Sequence, residues 1–157
     1  MDTELLTVGK STIRFVIDGI EEYTKRLKHY LPYRITPLPD IRRGGSLTEA
    51  QQKEAEGELI LSRLQPSDYV VLLDERGREY SSMEFAGFME KQMVAGRRRV
   101  VFVVGGPYGF SEAVYRRADS KLSLSKMTFN HEMVRLFFTE QLYRAMTILR
   151  GEPYHHE

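Results

Sequence analysis

Two short apolar segments constrain the fold of this chain more than any other feature of its sequence. Residues 69–73 are Tyr-Val-Val-Leu-Leu, and residues 100–104 are Val-Val-Phe-Val-Val. Neither segment alternates polar with apolar side chains, so both faces of each strand have to be covered. A helical segment separates the two strands, which predicts a parallel sheet with helices on both faces. The predicted fold is therefore an α/β sandwich.

The other predicted elements also alternate along the chain. Apolar periodicity predicts strands at 5–8, 33–38 and 122–125, and helices at 12–30, 48–64 and from about Val134 to Gly151. Ser11 or Thr12 is expected to cap the first helix, and Ser81 with Glu84 is a capping-box pair before another helix. No repeat or linker interrupts the pattern, and 157 residues suit one domain with a single core.

The composition narrows the class of protein. Apolar residues make up 41% and charged residues 29% of the chain, a balance typical of soluble globular proteins. The sequence has no cysteine, which excludes disulfides, thiolate zinc sites and cysteine nucleophiles. Its acidic start lacks the apolar segment of a signal peptide, and no apolar run has the length of a membrane span. We therefore expect a cytoplasmic protein.

A glycine-rich loop follows the second apolar strand. Gly105, Gly106 and Gly109 lie after a strand of a predicted parallel sheet, where ligands bind in open α/β folds. Glycines there let backbone amides approach a ligand, and a purely structural turn is the open alternative. The loop has neither the P-loop signature nor the dinucleotide spacing, and Ser125 stands about 20 positions on, where a dinucleotide site needs an acidic residue. Neither ATP nor NAD is favoured.

Several motifs in a fixed order resemble one family. They are Val8-Gly9-Lys10, Glu22-Tyr23-x-Lys-Arg26, Lys53-Glu54-x-Glu56, Leu73-Asp74, the glycine loop, residues 122–129, His131-Glu-Met-Val-Arg135 and Glu152-Pro-Tyr-His-His-Glu157. Together they cover essentially the full length. In order and spacing they resemble the bacterial large-subunit ribosomal RNA pseudouridine N3-methyltransferase family of the SPOUT superfamily.

This resemblance implies a fold and a cofactor. It implies one domain over residues 1–157, with a deep trefoil knot and the cofactor region over about 70–157. It implies S-adenosylmethionine bound in a bent conformation among three loops, with a homodimer in which the tail of one subunit completes the other's site. The corresponding cofactor residues are Leu73, Gly105, Leu124, Ser125, Lys126, Met127, Thr128 and Phe129.

The resemblance also implies the reaction, methylation of N3 of a pseudouridine in 23S ribosomal RNA on the assembled ribosome. N3 carries a proton at neutral pH, so a base or a nearby positive charge has to assist its loss. We assign His155 as the base or orienting group, Arg144 to the developing charge, and Tyr154 to stacking on the flipped base. Simpler roles stay open, because Glu140 can pair with Arg144 on one helix and terminal tails ordinarily fray.

Four residues are assigned to RNA contact: Arg42, Arg43, Lys10 and His131. The run Arg97, Arg98 and Arg99 is expected to add phosphate contacts, with a solvated surface as the simpler role. His131 can instead cap the last helix. The tail residues His155, His156 and Glu157 match no helical ligand spacing, so no metal is predicted.

Two positions depart from the family pattern, and two other functions stay open. Asn130 stands where relatives usually have proline, which is expected to loosen the turn before the last helix, and His156 stands where arginine or lysine is common. One alternative is a SPOUT methyltransferase acting on another RNA, such as transfer RNA. The tail residues Tyr154 and His155 argue against it. The second is a non-catalytic RNA-binding factor, which predicts no binding of S-adenosylmethionine.

Overall fold

The computed structural model describes residues 1–41 and 47–156. Within them, strands and helices alternate along the chain. The strands are β1 (Asp2–Val8), β2 (Tyr33–Leu38), β3 (Tyr69–Glu79), β4 (Arg99–Val104) and β5 (Ser120–Ser123). The helices are α1 (Arg14–Leu27), α2 (Glu49–Ser62), α3 (Ser82–Val94), α4 (Glu112–Arg117) and α5 (His131–Leu149). In the part of the chain that the structure describes, no helix has the length and apolar character needed to cross a membrane.

The five strands are parallel and form one sheet in the order β2-β1-β4-β3-β5. β4 lies at the centre, in agreement with its apolar residues on both faces. β2 is an edge strand, as Pro37 indicates, because proline cannot donate a hydrogen bond to a neighbouring strand. The predicted single-domain parallel α/β sandwich is confirmed, and the trefoil knot stays a prediction.

Helices cover both faces of the sheet, and alternate residues of β4 pack against different helices. Phe102 packs with Phe85 of α3 and Phe138 of α5, and the ring centroids of Phe102 and Phe138 are 4.6 Å apart. On the other face, Val103 belongs to a core cluster with Ile60 of α2. Each such side chain stabilises the fold by about 1.5–3 kcal/mol when fully buried. This double burial explains why the strand sequence is apolar throughout.

Side chains cap four of the five helices listed above, and the Ser81–Glu84 capping box predicted for α3 is confirmed. The side chains that cap α2 to α5 are Thr48, Ser81, Ser111 and Asn130. α1 begins at Arg14, and Ile13 at its N-cap makes no side-chain cap. The predicted cap by Ser11 or Thr12 is wrong, because both hydroxyl groups hydrogen-bond side chains of α5 instead.

A buried ion-pair cluster joins the amino-terminal ends of β1 and β4. Arg99 lies 3.0 Å from Glu4 and 2.6 Å from Asp68, whose side chain is 0% exposed. Burial by itself raises the pKa of Asp68, but hydrogen bonds from Arg99 and from a backbone N–H outweigh it and lower the pKa. The assignment of Arg99 to RNA is therefore corrected: its guanidinium is engaged inside the protein.

Candidate active site

A cavity of about 630 Å³ lies at the carboxyl edge of the sheet, beside the ends of β3, β4 and β5. Three segments supply most of its wall: residues 73–76, 104–110 and 122–129 without Lys126. The volume is within the roughly 300–1,000 Å³ typical of small-molecule sites. The sequence-predicted cofactor residues that line it are Leu73, Gly105, Leu124, Ser125, Met127, Thr128 and Phe129.

The first wall is a bulge in β3. The sequence predicted that this strand ends at Leu73, but it continues to Glu79. Its pairing with β5 changes register between Leu73 and Arg78. A Cβ atom added to Gly77 would lie 2.6 Å from the backbone nitrogen of Leu122, so glycine is required where the bulge rejoins the ladder. The bulge brings charged side chains to the cavity, namely those of Asp74, Glu75 and Arg76.

The second wall is the glycine loop, whose glycines are required by contacts inside the protein. A Cβ atom at Gly106 would lie 2.4 Å from a carboxylate oxygen of Glu56, and one at Gly105 would lie 3.0 Å from the ring of Phe110. Gly109 has a φ of +82° and donates its N–H to the carbonyl of Gly106 over 3.1 Å. Local packing thus requires small residues even before a ligand is considered.

The third wall is a tight turn after β5, which ends at Ser123 rather than at the predicted Ser125. The Ser123 hydroxyl donates to the carbonyl of Ser125 over 3.0 Å, and the Ser125 hydroxyl accepts from the Met127 N–H over 2.9 Å. These side chain–backbone bonds stop the strand and turn its main chain across the cavity. Lys126 is exposed and lies outside the cavity lining, so its predicted role depends on its backbone.

The start of α5 closes the cavity on a further side. Asn130 caps the helix, and its side-chain oxygen accepts from the Met133 N–H over 2.8 Å. The expectation that Asn130 loosens this turn is wrong, because such a cap stabilises a helix by about 1 kcal/mol. His131 is the first helical residue and lines the cavity, so the simpler role predicted for it, a cap, is also wrong.

One tyrosine in the cavity wall is held in its protonated form. The Tyr115 hydroxyl of α4 donates to Asp74. Burial and then this hydrogen bond raise the pKa of Tyr115 to about 12. Tyr115 is therefore a hydrogen-bond donor at neutral pH and not a candidate general base.

The three catalytic candidates meet in a tail cluster, which consists of Glu140, Arg144, Tyr154, His155 and Tyr23. Arg144 Nη2 donates to Glu140 Oε1 over 2.5 Å, and its Nη1 lies 3.1 Å from His155 Nδ1. The Tyr154 hydroxyl donates to the same Glu140 oxygen over 2.9 Å and lies 3.3 Å from the Tyr23 hydroxyl of α1. The predicted Glu140–Arg144 pair is confirmed, but the tail packs on α5 instead of fraying.

The hydrogen bonds of the tail cluster assign protonation states. Burial, followed by hydrogen bonds with Tyr23 and Glu140, raises the pKa of Tyr154 well above its usual value, so the phenol stays protonated. A guanidinium can only donate, so Nδ1 of His155 is the acceptor of the Arg144 hydrogen bond, and its proton resides on Nε2. In this arrangement Nδ1 of His155 is occupied, so a role of that nitrogen as a base requires the bond to Arg144 to break.

Within residues 1–41 and 47–156, the cavity and the tail cluster lie at different levels of α5 and share no lining residue. His131 lines the cavity, and Arg144 is further along the same helix. With a rise of 1.5 Å per residue, α5 separates these two residues by about 20 Å. The family resemblance assigns both groups to one reaction, so a single chain holds two halves of the predicted site.

The residues assigned to RNA are distributed unevenly. Lys10 is exposed on the loop between β1 and α1, beside the first turns of α5. Arg42 and Arg43 lie outside the described residues. Arg97 and Arg98 precede β4 and therefore lie at the edge of the sheet opposite the cavity. Of the cations assigned to RNA that the structure describes, Lys10 is the one near the first turns of α5.

Comparison with known proteins decides the family. A family model described as "Predicted SPOUT methyltransferase" matches residues 1–155. This chain belongs to the SPOUT methyltransferase family. Proteins named "Ribosomal RNA large subunit methyltransferase H" are similar over the full length: 59% identity in Porphyromonas gingivalis and 58% in Parabacteroides distasonis, with 100% of both chains covered, and 56% in Christiangramia forsetii, with 99% covered. The family resemblance predicted from the sequence is confirmed.

A solved structure also resembles this SPOUT methyltransferase. It is "The structure of a probable methylase family protein from Haemophilus influenzae Rd KW20", with a TM-score of 0.53 and 16% identity. The match covers 95% of this chain and 66% of the other. At that identity the likeness supports the fold alone.

Several residues that line the cavity of this SPOUT methyltransferase were not predicted as site residues from the sequence. They are Lys53, Glu75, Arg76, Tyr115, Asn130 and Val134. Lys53 belongs to the family motif Lys53-Glu54-x-Glu56, but the resemblance assigns it no role. The bulge residues carried no local signal, since Gly77 marks the bulge only once Leu122 is known to pack against it.

Proposed function

We propose that this SPOUT methyltransferase transfers a methyl group from S-adenosylmethionine to N3 of a pseudouridine in 23S ribosomal RNA, on the assembled ribosome. The proposal depends chiefly on full-length similarity, at 56–59% identity, to proteins named for methylation of large-subunit ribosomal RNA. The cavity at the carboxyl edge of the sheet supports it, because small ligands bind at that edge in parallel α/β folds.

The lining of the cavity fits this cofactor. Leu73, Val104 and Leu122 offer an apolar surface for an adenine ring, and the main chain of the glycine loop offers groups for its edge. When bound, S-adenosylmethionine supplies a methyl group on a sulfonium centre. The neutral thioether that remains after transfer is a good leaving group. Asp74 and Glu75 at the bulge add negative charge to a site for a cationic ligand.

The distance between the cavity and the tail cluster supports a homodimer with shared sites. Because α5 keeps the two groups about 20 Å apart in one chain, we assign the tail of each subunit to the cavity of its partner. Two-fold symmetry then forms two equivalent sites, each with a cofactor cavity from one subunit and Arg144, Tyr154 and His155 from the other.

Within such a shared site the tail residues act on the target base. The positive charge of Arg144 favours loss of the N3 proton to solvent water, and His155, held by Arg144, orients the base. Tyr154, protonated and already packed against Tyr143, stacks on the flipped nucleotide. Lys10, Arg42, Arg43 and His131 contact the RNA, and we place the reaction in the cytoplasm, where ribosomes assemble.

Labelled S-adenosylmethionine and ribosomes lacking this modification test the activity. Substrates are prepared with and without pseudouridylation, and label is measured on the separated RNAs. The proposal requires label on large-subunit RNA that depends on pseudouridine. Label on transfer RNA alone would contradict it and favour the other SPOUT substrate. Absence of S-adenosylmethionine binding by calorimetry would favour the non-catalytic RNA-binding factor.

A mixing experiment tests the shared site. A variant with a defective cavity, Gly105→Val, is allowed to exchange subunits with a variant with a defective tail, His155→Ala. Statistical exchange should restore about a quarter of wild-type activity, since half of the dimers then carry one intact site. If each chain forms its own site, the mixture stays as inactive as its components.

A further inference from the structure

The first two turns of α5 carry two different stripes of side chains. His131 and Val134, three residues apart, line the cavity. Glu132 and Arg135, also three residues apart, contact the loop between β1 and α1. One residue along a helix rotates the side chain by about 100°, so the two stripes lie on adjacent faces. The same rigid segment therefore forms part of the cavity wall and anchors the neighbouring loop.

Arg135 is the first anchor of this loop. Its side chain is buried, with the residue 2% exposed. Its Nη2 donates to the carbonyl of Val8 over 3.0 Å, and its Nη1 donates to the carbonyl of Gly9 over 3.0 Å and lies 3.2 Å from the Ser11 hydroxyl. Its Nε donates to the carbonyl of His131 over 3.1 Å. One guanidinium thus connects the loop directly to a residue of the cavity wall.

Glu132 is the second anchor. One of its carboxylate oxygens accepts from the backbone N–H of Thr12 over 3.0 Å and from its hydroxyl over 3.3 Å. The loop is therefore held on both sides of Lys10, by Arg135 before it and by Glu132 after it. The Lys10 side chain, between these anchors, is exposed.

Burying the guanidinium of Arg135 opposes folding, because desolvation disfavours a charge and burial lowers its pKa. Its hydrogen bonds to the carbonyls of Val8 and Gly9 offset this cost and fix the main chain just before Lys10. Phosphate contacts fix the register of a protein on RNA, provided that the cation has a defined position. The contacts of Arg135 supply a defined main-chain position for the loop that carries Lys10.

We propose that Arg135 and Glu132 are positioning residues for substrate RNA. They hold Lys10 at a set distance from the cavity, so that an RNA phosphate bound by Lys10 places the target nucleotide at the cavity mouth. This inference rests on the proposed function, since it takes ribosomal RNA as the ligand. It adds to that function two residues that do not touch the RNA themselves.

A double-mutant cycle on ribosome binding tests the inference with the full-length protein. The dissociation constant for large ribosomal subunits lacking the modification is measured for Lys10→Ala in four backgrounds: wild type, Glu132→Ala, Glu132→Gln and Arg135→Lys. In wild type, Lys10→Ala should weaken binding about 5–10-fold and lower the salt slope by about one. In Glu132→Ala and Arg135→Lys, the same change should cost less than about twofold. Glu132→Gln keeps an acceptor for Thr12 and should restore the wild-type factor.

Arg150→Lys is the matched control, because Arg150 is the C-cap residue of α5 and also donates to a backbone carbonyl, that of His29, over 2.8 Å. Lys10→Ala should keep its full effect in that background. Calorimetry should show affinity for S-adenosylmethionine within about twofold of wild type in every single variant. If Arg135→Lys does not fold, the Glu132→Ala and Glu132→Gln pair decides.

An equal effect of Lys10→Ala in all backgrounds would overturn the inference, as would a failure of Glu132→Gln to restore the coupling. The two proposals fail in different ways. If the wild-type protein does not methylate large-subunit RNA, the proposed function is wrong. If it does methylate that RNA while the cycle is additive, only the positioning role of Arg135 and Glu132 is wrong.

Discussion

The cavity and the tail cluster, the two halves of the proposed site, are built in opposite ways. The cavity wall is shaped by the course of the main chain at three places: the bulge at Gly77, the glycine loop and the turn at Ser125. The tail cluster is a network of side chains centred on Glu140, which accepts hydrogen bonds from Arg144 and Tyr154. Main-chain groups are suited to binding a cofactor. Charged and aromatic side chains are suited to stabilising charge on the target base and to stacking on it.

This comparison predicts that the two halves fail differently. Substitutions in the cavity should weaken cofactor binding, and substitutions in the tail cluster should slow turnover while sparing cofactor binding. A third group, the ion-pair cluster of Glu4, Asp68 and Arg99, is also built from side chains but lies at the opposite edge of the sheet. Its loss should affect stability alone.

The largest expected effect is that of His155→Ala. Removing an orienting or proton-transferring group typically costs 10²–10⁴-fold, so we expect a fall of about 1,000-fold in kcat. Calorimetry should give wild-type affinity for S-adenosylmethionine. The control is His29→Ala, which removes an exposed histidine beyond the end of α1 and should leave turnover unchanged. Weakened cofactor binding in His155→Ala would break the division between the two halves.

Asp68→Asn should destabilise the protein by about 3 kcal/mol, because it leaves Arg99, whose side chain is 14% exposed, without its closest carboxylate. The pKa of Asp68 is lowered in the folded state, so its contribution is present above the unfolded pKa near 4 and is lost as pH falls through the folded value. Urea unfolding between about pH 3 and 7 should therefore show a smaller loss of stability on acidification in the variant than in wild type.

The exposed Arg14–Asp18 pair provides the control for that measurement. Asp18→Asn should change the free energy of unfolding by less than about 1 kcal/mol. Cofactor affinity should be unchanged in both variants at neutral pH. A cofactor defect in Asp68→Asn would show that the amino edge of the sheet is coupled to the cavity.

Gly105→Val should weaken S-adenosylmethionine binding about 100-fold, or by about 2.7 kcal/mol. The reason differs from simple blockage of the ligand: the new side chain meets the ring of Phe110 and displaces that wall of the cavity. Gly87→Val is the matched control, because a Cβ there has no neighbour within 4 Å. Wild-type affinity in Gly105→Val, measured by calorimetry, would remove the glycine loop from the binding site.

The smallest effect concerns Asn130, at the border of the cavity. Asn130→Ala should cost about 1 kcal/mol of stability through loss of the cap on α5, with a modest loss of cofactor affinity. Ser81→Ala removes the equivalent cap on α3 and should cost a similar amount without changing cofactor affinity. Equal cofactor affinities in the two variants would show that the cap serves folding alone.

Much of the fold could be predicted from local pattern. The apolar residues of β4 indicated burial on both faces, and the Ser81–Glu84 pair indicated the start of α3, since both signals depend on neighbouring residues. The cap of α1 was mispredicted because Thr12 hydrogen-bonds Glu132, which is far away along the chain. Arg99 was wrongly assigned to RNA for the same reason, since its partners Glu4 and Asp68 come from two other segments.

The sequence by itself determined a parallel α/β sandwich, which follows from the apolar strands, and a resemblance to the SPOUT methyltransferase family, which follows from its ordered motifs. Only the tertiary structure decided where the site residues lie. The bulge after Leu73 depends on β5 packing against Gly77. The separation of the cavity from the tail cluster depends on the length of α5. Contacts between distant segments set these features, and such contacts leave no trace in local sequence pattern.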